Sequence, residues 1–143
     1  MKILLIDPPY RYQEVGGARQ NFRNVLNQIP SLGLAYLAAV ARQGKHQVKI
    51  IDCTFADEYR KLMVEAKEFG PDLVGITATT PVFANAVSLA GILRGILPKA
   101  VFICGGPHPT ACPEACFSQG LFDFLVLGEG EETFLELSAY LQD

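Results

Sequence analysis

The sequence predicts a three-layer α/β domain, a parallel β-sheet covered by helices on both faces. Short runs of Ile, Val and Leu recur along the chain, stretches of helical pattern fall between them, and Gly or Pro punctuates the junctions. Strands buried on both faces read as near-continuous apolar runs, and their alternation with helices marks a parallel sheet. A chain of 143 residues matches one ordinary domain, and 50% hydrophobic against 19% charged residues is enough for a real core.

Five strands are expected: Lys2 to Ile6, Gln47 to Ile51, Leu73 to Thr77, Val101 to Cys104 and Phe124 to Leu127. The first helix follows Pro30 with Ser31 as N-cap, and Gly44 stops it. Its segment Leu32 to Val40 is apolar nearly all round, which predicts a deeply buried helix. The second runs from about Asp57 to Phe69, with Tyr59, Leu62, Ala66 and Phe69 on one stripe before Gly70 and Pro71. The third follows Pro81, placing Phe83, Ala86, Ala90, Leu93 and Leu97 at helical spacing before Pro98. A fourth, shorter helix falls between Thr110 and Phe117. The fifth begins near Glu131, where acidic residues suit the positive end of the helix dipole, and turns Phe134, Leu137 and Leu141 inward. Right-handed crossovers on such a sheet favour the strand order 2-1-3-4-5, the flavodoxin-like (Rossmann-like) arrangement.

Composition narrows the function. A formal charge of −3 with scattered basic residues gives no footprint for nucleic acid or an anionic membrane. The apolar run Ile3 to Ile6 breaks at Asp7, Pro8 and Pro9, too short for a signal peptide core or a membrane span, so a cytoplasmic protein is expected. Four cysteines, Cys53, Cys104, Cys112 and Cys116, are expected as free thiols. Cys112 and Cys116 lack the third Cys that an iron–sulfur triplet needs, since that position is Gln119, and are expected to serve helix packing; no metal ligands are assigned.

In this architecture ligands lie beyond the carboxyl ends of the strands, so the loops there carry the function. The loop after the first strand runs from Asp7 to about Pro30 and holds Tyr10, Arg11, Tyr12, Arg19, Phe22 and Arg23, which could cover a flat ligand or dock a second domain. After the third strand, Thr77-Ala78-Thr79-Thr80-Pro81 offers small hydroxyl side chains that either contact a ligand or cap the next helix. After the fourth, Gly105-Gly106-Pro107-His108-Pro109 lacks the Cβ atoms that would hold a ligand off the backbone, and its plainer use is a tight turn. After the fifth, Gly128-Glu129-Gly130-Glu131-Glu132 is too acidic for a pyrophosphate, which argues against a nicotinamide dinucleotide, and no P-loop follows any strand. His46 precedes the second strand and falls at the opposite edge, leaving His108 as the histidine candidate.

Together these stretches resemble a known family, the N-terminal cobalamin (B12)-binding domain of radical-SAM enzymes, the anaerobic oxidative cyclases among them. The resemblance covers essentially the whole chain. It rests on Lys2-Ile3-Leu4-Leu5-Ile6-Asp7-Pro8-Pro9, on Pro30-Ser31-Leu32-Gly33-Leu34-Ala35-Tyr36-Leu37-Ala38-Ala39, on Gly105-Gly106-Pro107-His108-Pro109-Thr110 and on Asp123-Phe124-Leu125-Val126-Leu127-Gly128-Glu129-Gly130-Glu131. It implies a corrinoid held by Pro9, Tyr10, Thr77, Thr79, Thr80, Gly105, Gly106, Pro107, His108, Gly128, Glu129 and Gly130. The broader cobalamin-binding family has an Asp-x-His-x-x-Gly motif after the first strand, and this chain has no His from Asp7 onward in that loop. The resemblance therefore implies base-off binding without the usual His on cobalt, the nucleotide tail lying between the loops after the third and fourth strands. It also implies a radical-SAM domain in cis, beyond residue 143, carrying a [4Fe-4S] cluster and S-adenosylmethionine for methyl transfer or radical chemistry. The chain alone is then a non-catalytic piece. Two other readings stay open: a domain binding FMN, for which Asp7-Pro8-Pro9-Tyr10 is a poor phosphate cradle, and a cofactor-free docking or receiver domain, for which Leu127-Gly128 offers no lysine.

Overall fold

The computed structural model describes residues 1–9, 30–53 and 59–142, with the backbone alone at 59 and 60. The strands are β1 (Lys2–Asp7), β2 (Gln47–Asp52), β3 (Leu73–Thr77), β4 (Val101–Gly105) and β5 (Phe124–Val126). They form one five-stranded parallel sheet in the order β2-β1-β3-β4-β5. The helices are α1 (Leu32–Gln43), α2 (Tyr59–Phe69), α3 (Phe83–Ile96), α4 (Pro107–Ala111), α5 (Pro113–Phe117) and α6 (Glu131–Tyr140), and a 3₁₀ turn at Thr80–Val82 leads into α3. This is the flavodoxin-like arrangement that the alternating pattern predicts.

Strand periodicity divides the core in two. Leu4, Ile6, Val74, Phe102 and Cys104 point to one face and pack under α2 and α3 through Leu62, Ala66, Ala86, Leu89 and Leu93. Ile3, Leu5, Leu73, Ile103 and Val126 point to the other and pack under α1 and α6 through Leu34, Ala38, Ala41 and Phe134. At the amino ends of β4 and β5, Asp123 accepts from the Phe102 N–H and from Arg94, both at 2.7 Å, and Arg94 also donates to the Leu121 carbonyl at 2.7 Å. These bonds anchor the short edge strand.

Ser31 caps α1 as expected, its hydroxyl accepting from the Leu34 N–H at 3.4 Å, and Gly44 ends the helix. The expected deep burial of α1 is overturned. Leu34, Ala38 and Ala41 form one buried stripe, while Leu32 and Tyr36 are 67% and 56% exposed, because a helix lying on one sheet face covers only the side turned to it. The fourth helix is also different from expectation: it is two short ones, α4 and α5, separated at Cys112. Pro113 disfavours helical geometry in the residue before it, and Cys112 adopts φ −136° and ψ 59°. Cys116 is buried and Cys112 exposed, with all four thiols free. The expected start of the second helix at Asp57 and the Tyr59 side chain lie outside the described residues. Among those residues no helix is long and apolar enough to cross a membrane.

Candidate functional site

The carboxyl ends of β3, β4 and β5 open into a groove of about 150 Å³ between the sheet, α1 and the start of α6. Its shape follows from what the sheet lacks on that face. Along β3 the residues turned toward α1 and α6 are Leu73, Gly75 and Thr77, and along β4 they are Val101, Ile103 and Gly105. Gly75 pairs with Leu5 on one side and Ile103 on the other, and Gly105 pairs with Thr77 and Val126. The sheet is thus filled near its middle and empty toward its carboxyl edge. A Cβ on Gly75 would stand 2.8 Å from Leu5 Cδ2, so the Leu5 side chain leans over the glycine and forms the floor. Leu34, Leu37, Ile103, Val126 and Phe134 supply the walls, and Gly33 opens the α1 side, where a Cβ would meet nothing within 4 Å.

Hydrogen bonds fix the loops around this opening. The Ala78 N–H donates to the Gly105 carbonyl at 2.9 Å, and the His108 N–H donates to the Ala78 carbonyl at 3.0 Å. Gly106, between them, has φ +100°, and a Cβ there would stand 2.8 Å from Thr77 Oγ1 and 3.1 Å from the Ala78 carbonyl oxygen. The two plain uses of the paired glycines are therefore divided: Gly105 leaves the groove open, and Gly106 allows two backbones to meet. Thr110 joins the next pair of loops, its hydroxyl donating to the Gly106 carbonyl at 2.9 Å and accepting from the Gly128 N–H at 3.0 Å.

Of the residues singled out in the sequence, Thr77, Gly105, Gly106, Gly128, Glu129 and Gly130 line this one groove. Pro9, Thr79, Thr80, Pro107 and His108 do not. The Pro9 carbonyl accepts from Asn85 Nδ2 at 2.8 Å, which ties the residues just after β1 to α3. Neither threonine hydroxyl caps the turn at Thr80: Thr79 Oγ1 is buried with no hydrogen-bond partner among the described residues, and Thr80 Oγ1 lies 3.1 Å from His108 Nδ1. His108 is buried rather than displayed on a surface turn, its ring 4.2 Å from that of Phe83, so it braces the β3 and β4 loops against α3. Pro107 opens α4. Tyr10, with Arg11, Tyr12, Arg19, Phe22 and Arg23, lies outside the described residues. The sequence reading missed Gly33, Gly75 and the apolar walls; a lone glycine inside a strand pattern is a sign of close approach and could have identified Gly75.

Charge gathers in two places. Glu129 and Glu131 stand at the groove mouth. Asp7 ends β1 beside Asp52 of β2, and burial, then the Asp52 charge, push the Asp7 carboxyl up to about 6. Burial, with Asp52 and Asp7 adding to it, also pushes the neighbouring Cys53 thiol up to about 12, so it stays protonated. His46 is buried at the far edge of the sheet with Nδ1 unpaired among the described residues, and burial lowers its pKa.

Comparison with known proteins gives this groove a context. Residues 19–138 match the B12 binding domain family. An uncharacterized methyltransferase of Pyrococcus horikoshii is 40% identical over 96% of the chain and 28% of its own length. The anaerobic magnesium-protoporphyrin IX monomethyl ester cyclase of Rubrivivax gelatinosus is 30% identical over 96% of the chain and 24% of its own length. The chain thus spans about a quarter of these relatives. The cobalamin-dependent S-adenosylmethionine radical enzyme OxsB, solved with aqua-cobalamin bound, superposes with a TM-score of 0.73 over 99% of the chain and 19% of its own, at 18% identity, a likeness of fold. By the family match and by these relatives, the chain belongs to the B12-binding domain family.

Proposed function

We propose that this domain binds cobalamin base-off, with the nucleotide tail in the groove and no histidine of the chain on cobalt. The groove itself carries the reading: it stands at the carboxyl ends of β3, β4 and β5, six glycines line it, and its deep walls are apolar. A cavity of this size with Leu, Ile and Phe walls accommodates an aromatic ring, and a base detached from cobalt is such a group. Thr77 and the Glu129 and Glu131 carboxylates at the mouth suit the hydroxyl and amide groups of the tail. The residues present fit the group.

The two histidines support the rest of the reading. His46 is at the opposite edge of the sheet, and His108 is buried with its ring against Phe83 and does not line the groove. When bound, the corrinoid would supply a cobalt centre able to carry a methyl group or an electron. The chain's own part is to hold the tail, keep water from the base and fix the orientation of the corrin plane. A radical-SAM domain in cis, with its [4Fe-4S] cluster and S-adenosylmethionine, would supply the catalysis; that OxsB, which shares this fold in about a fifth of its length, is an S-adenosylmethionine radical enzyme supports this.

Electron paramagnetic resonance of the cob(II)alamin complex, after removal of free corrinoid by gel filtration, tests the proposal. Cobalt lines without nitrogen superhyperfine splitting are expected. Splitting that disappears in His108→Ala would make His108 an axial ligand and overturn the assignment, and a chain that emerges without corrinoid would remove cobalamin from it altogether.

A further inference from the structure

We infer that the groove selects the base of the tail, accepting a benzimidazole and discriminating against adenine. The inference rests on the tail occupying the groove, and the chemistry of the walls carries it. Below the mouth, the surface is made by Leu5, Leu34, Ile103, Val126 and Phe134, with Gly75 at the floor. None of these side chains donates or accepts a hydrogen bond. The strand backbone there is engaged as well. Gly75 is paired on both sides within the parallel ladder, so its N–H and carbonyl lie in the plane of the sheet, and the Gly105 carbonyl accepts from Ala78. The polar side chains that line the groove, Thr77, Glu129 and Glu131, belong to the last residue of β3 and to the stretch that follows β5. The polar side chains are thus confined to the end where the ribose and phosphate would emerge.

A benzimidazole and an adenine have nearly the same outline, so shape does not separate them. Adenine adds ring nitrogens and an exocyclic amine. In water these are hydrogen-bonded, and the side chains of Leu5, Leu34, Ile103, Val126 and Phe134 offer them no partner. A buried polar group left unpaired weakens binding on the order of ten-fold or more.

Affinities of the chain for cobalamin, for the adenine-bearing pseudocobalamin and for cobinamide, which has no base, test this by isothermal titration. The expected order is cobalamin tightest, pseudocobalamin weaker on the order of ten-fold or more, and cobinamide weakened by loss of the tail. Pseudocobalamin binding as tightly as cobalamin, with cobinamide weaker than both, overturns the base selectivity and leaves the tail site standing. Equal affinity for all three, or no binding by any, overturns both readings.

Discussion

Asp7 shows how single side chains at the carboxyl edge carry consequences beyond their own contacts. The last residue of β1 is held beside Asp52 and partly buried, and its pKa rises from an ordinary 3.8 to about 6. A carboxyl whose folded-state pKa lies above its unfolded value favours the folded protein while protonated. That contribution is fully present below about pH 4 and is lost as pH rises through about 6. Asp7→Asn is therefore expected to gain stability over the wild type at pH 8 and to gain nothing at pH 4, as read from urea midpoints at the two values. Equal gains at both would place the effect elsewhere. At this scale the sequence is legible where residue type alone points to an open approach, as at Gly105, whereas Gly128 and Gly130 enter only through the family resemblance. It is less so where a position matters by what it lacks: Gly33 and Gly75 look like weak spots in a helix and a strand until their neighbours are known.

Between elements, the groove depends on loops being tied to one another. Thr110 bridges the loops after β4 and β5 through Gly106 and Gly128, both at positive φ, and a single hydroxyl serves the two bonds. Thr110→Val keeps the shape and removes both bonds, so it should cost about 1 kcal/mol of stability and weaken corrinoid binding, with Thr110→Ser restoring both. A Val variant as stable and as tight as wild type would remove Thr110 from the groove's support. The elements themselves are readable because Ser31, Pro81 and the glycines mark their ends in local chemistry. The one-sided burial of α1 and the break at Cys112 depend on what each helix packs against and on Pro113, which a count of apolar positions does not weigh.

Across the whole molecule, the sheet separates two tasks. The α2 and α3 face is filled by large side chains and holds the domain together, while the α1 and α6 face is filled only as far as Leu5 and Ile103 and is left open above them. A groove with apolar walls at this edge is where a ligand would extend the core. Gly33 tests this without disturbing the fold. It is helical, and a Cβ placed on it would meet no atom within 4 Å, so a residue other than glycine there should leave stability unchanged or raise it by up to about 1 kcal/mol. The decisive comparison is titration of hydroxocobalamin into wild type and Gly33→Leu, each first shown to be folded by its thermal transition. The variant, as stable as wild type or more so, is expected to bind weaker on the order of ten-fold or more because the new side chain occupies the groove, and equal affinity in the two would show that the corrinoid does not use this groove.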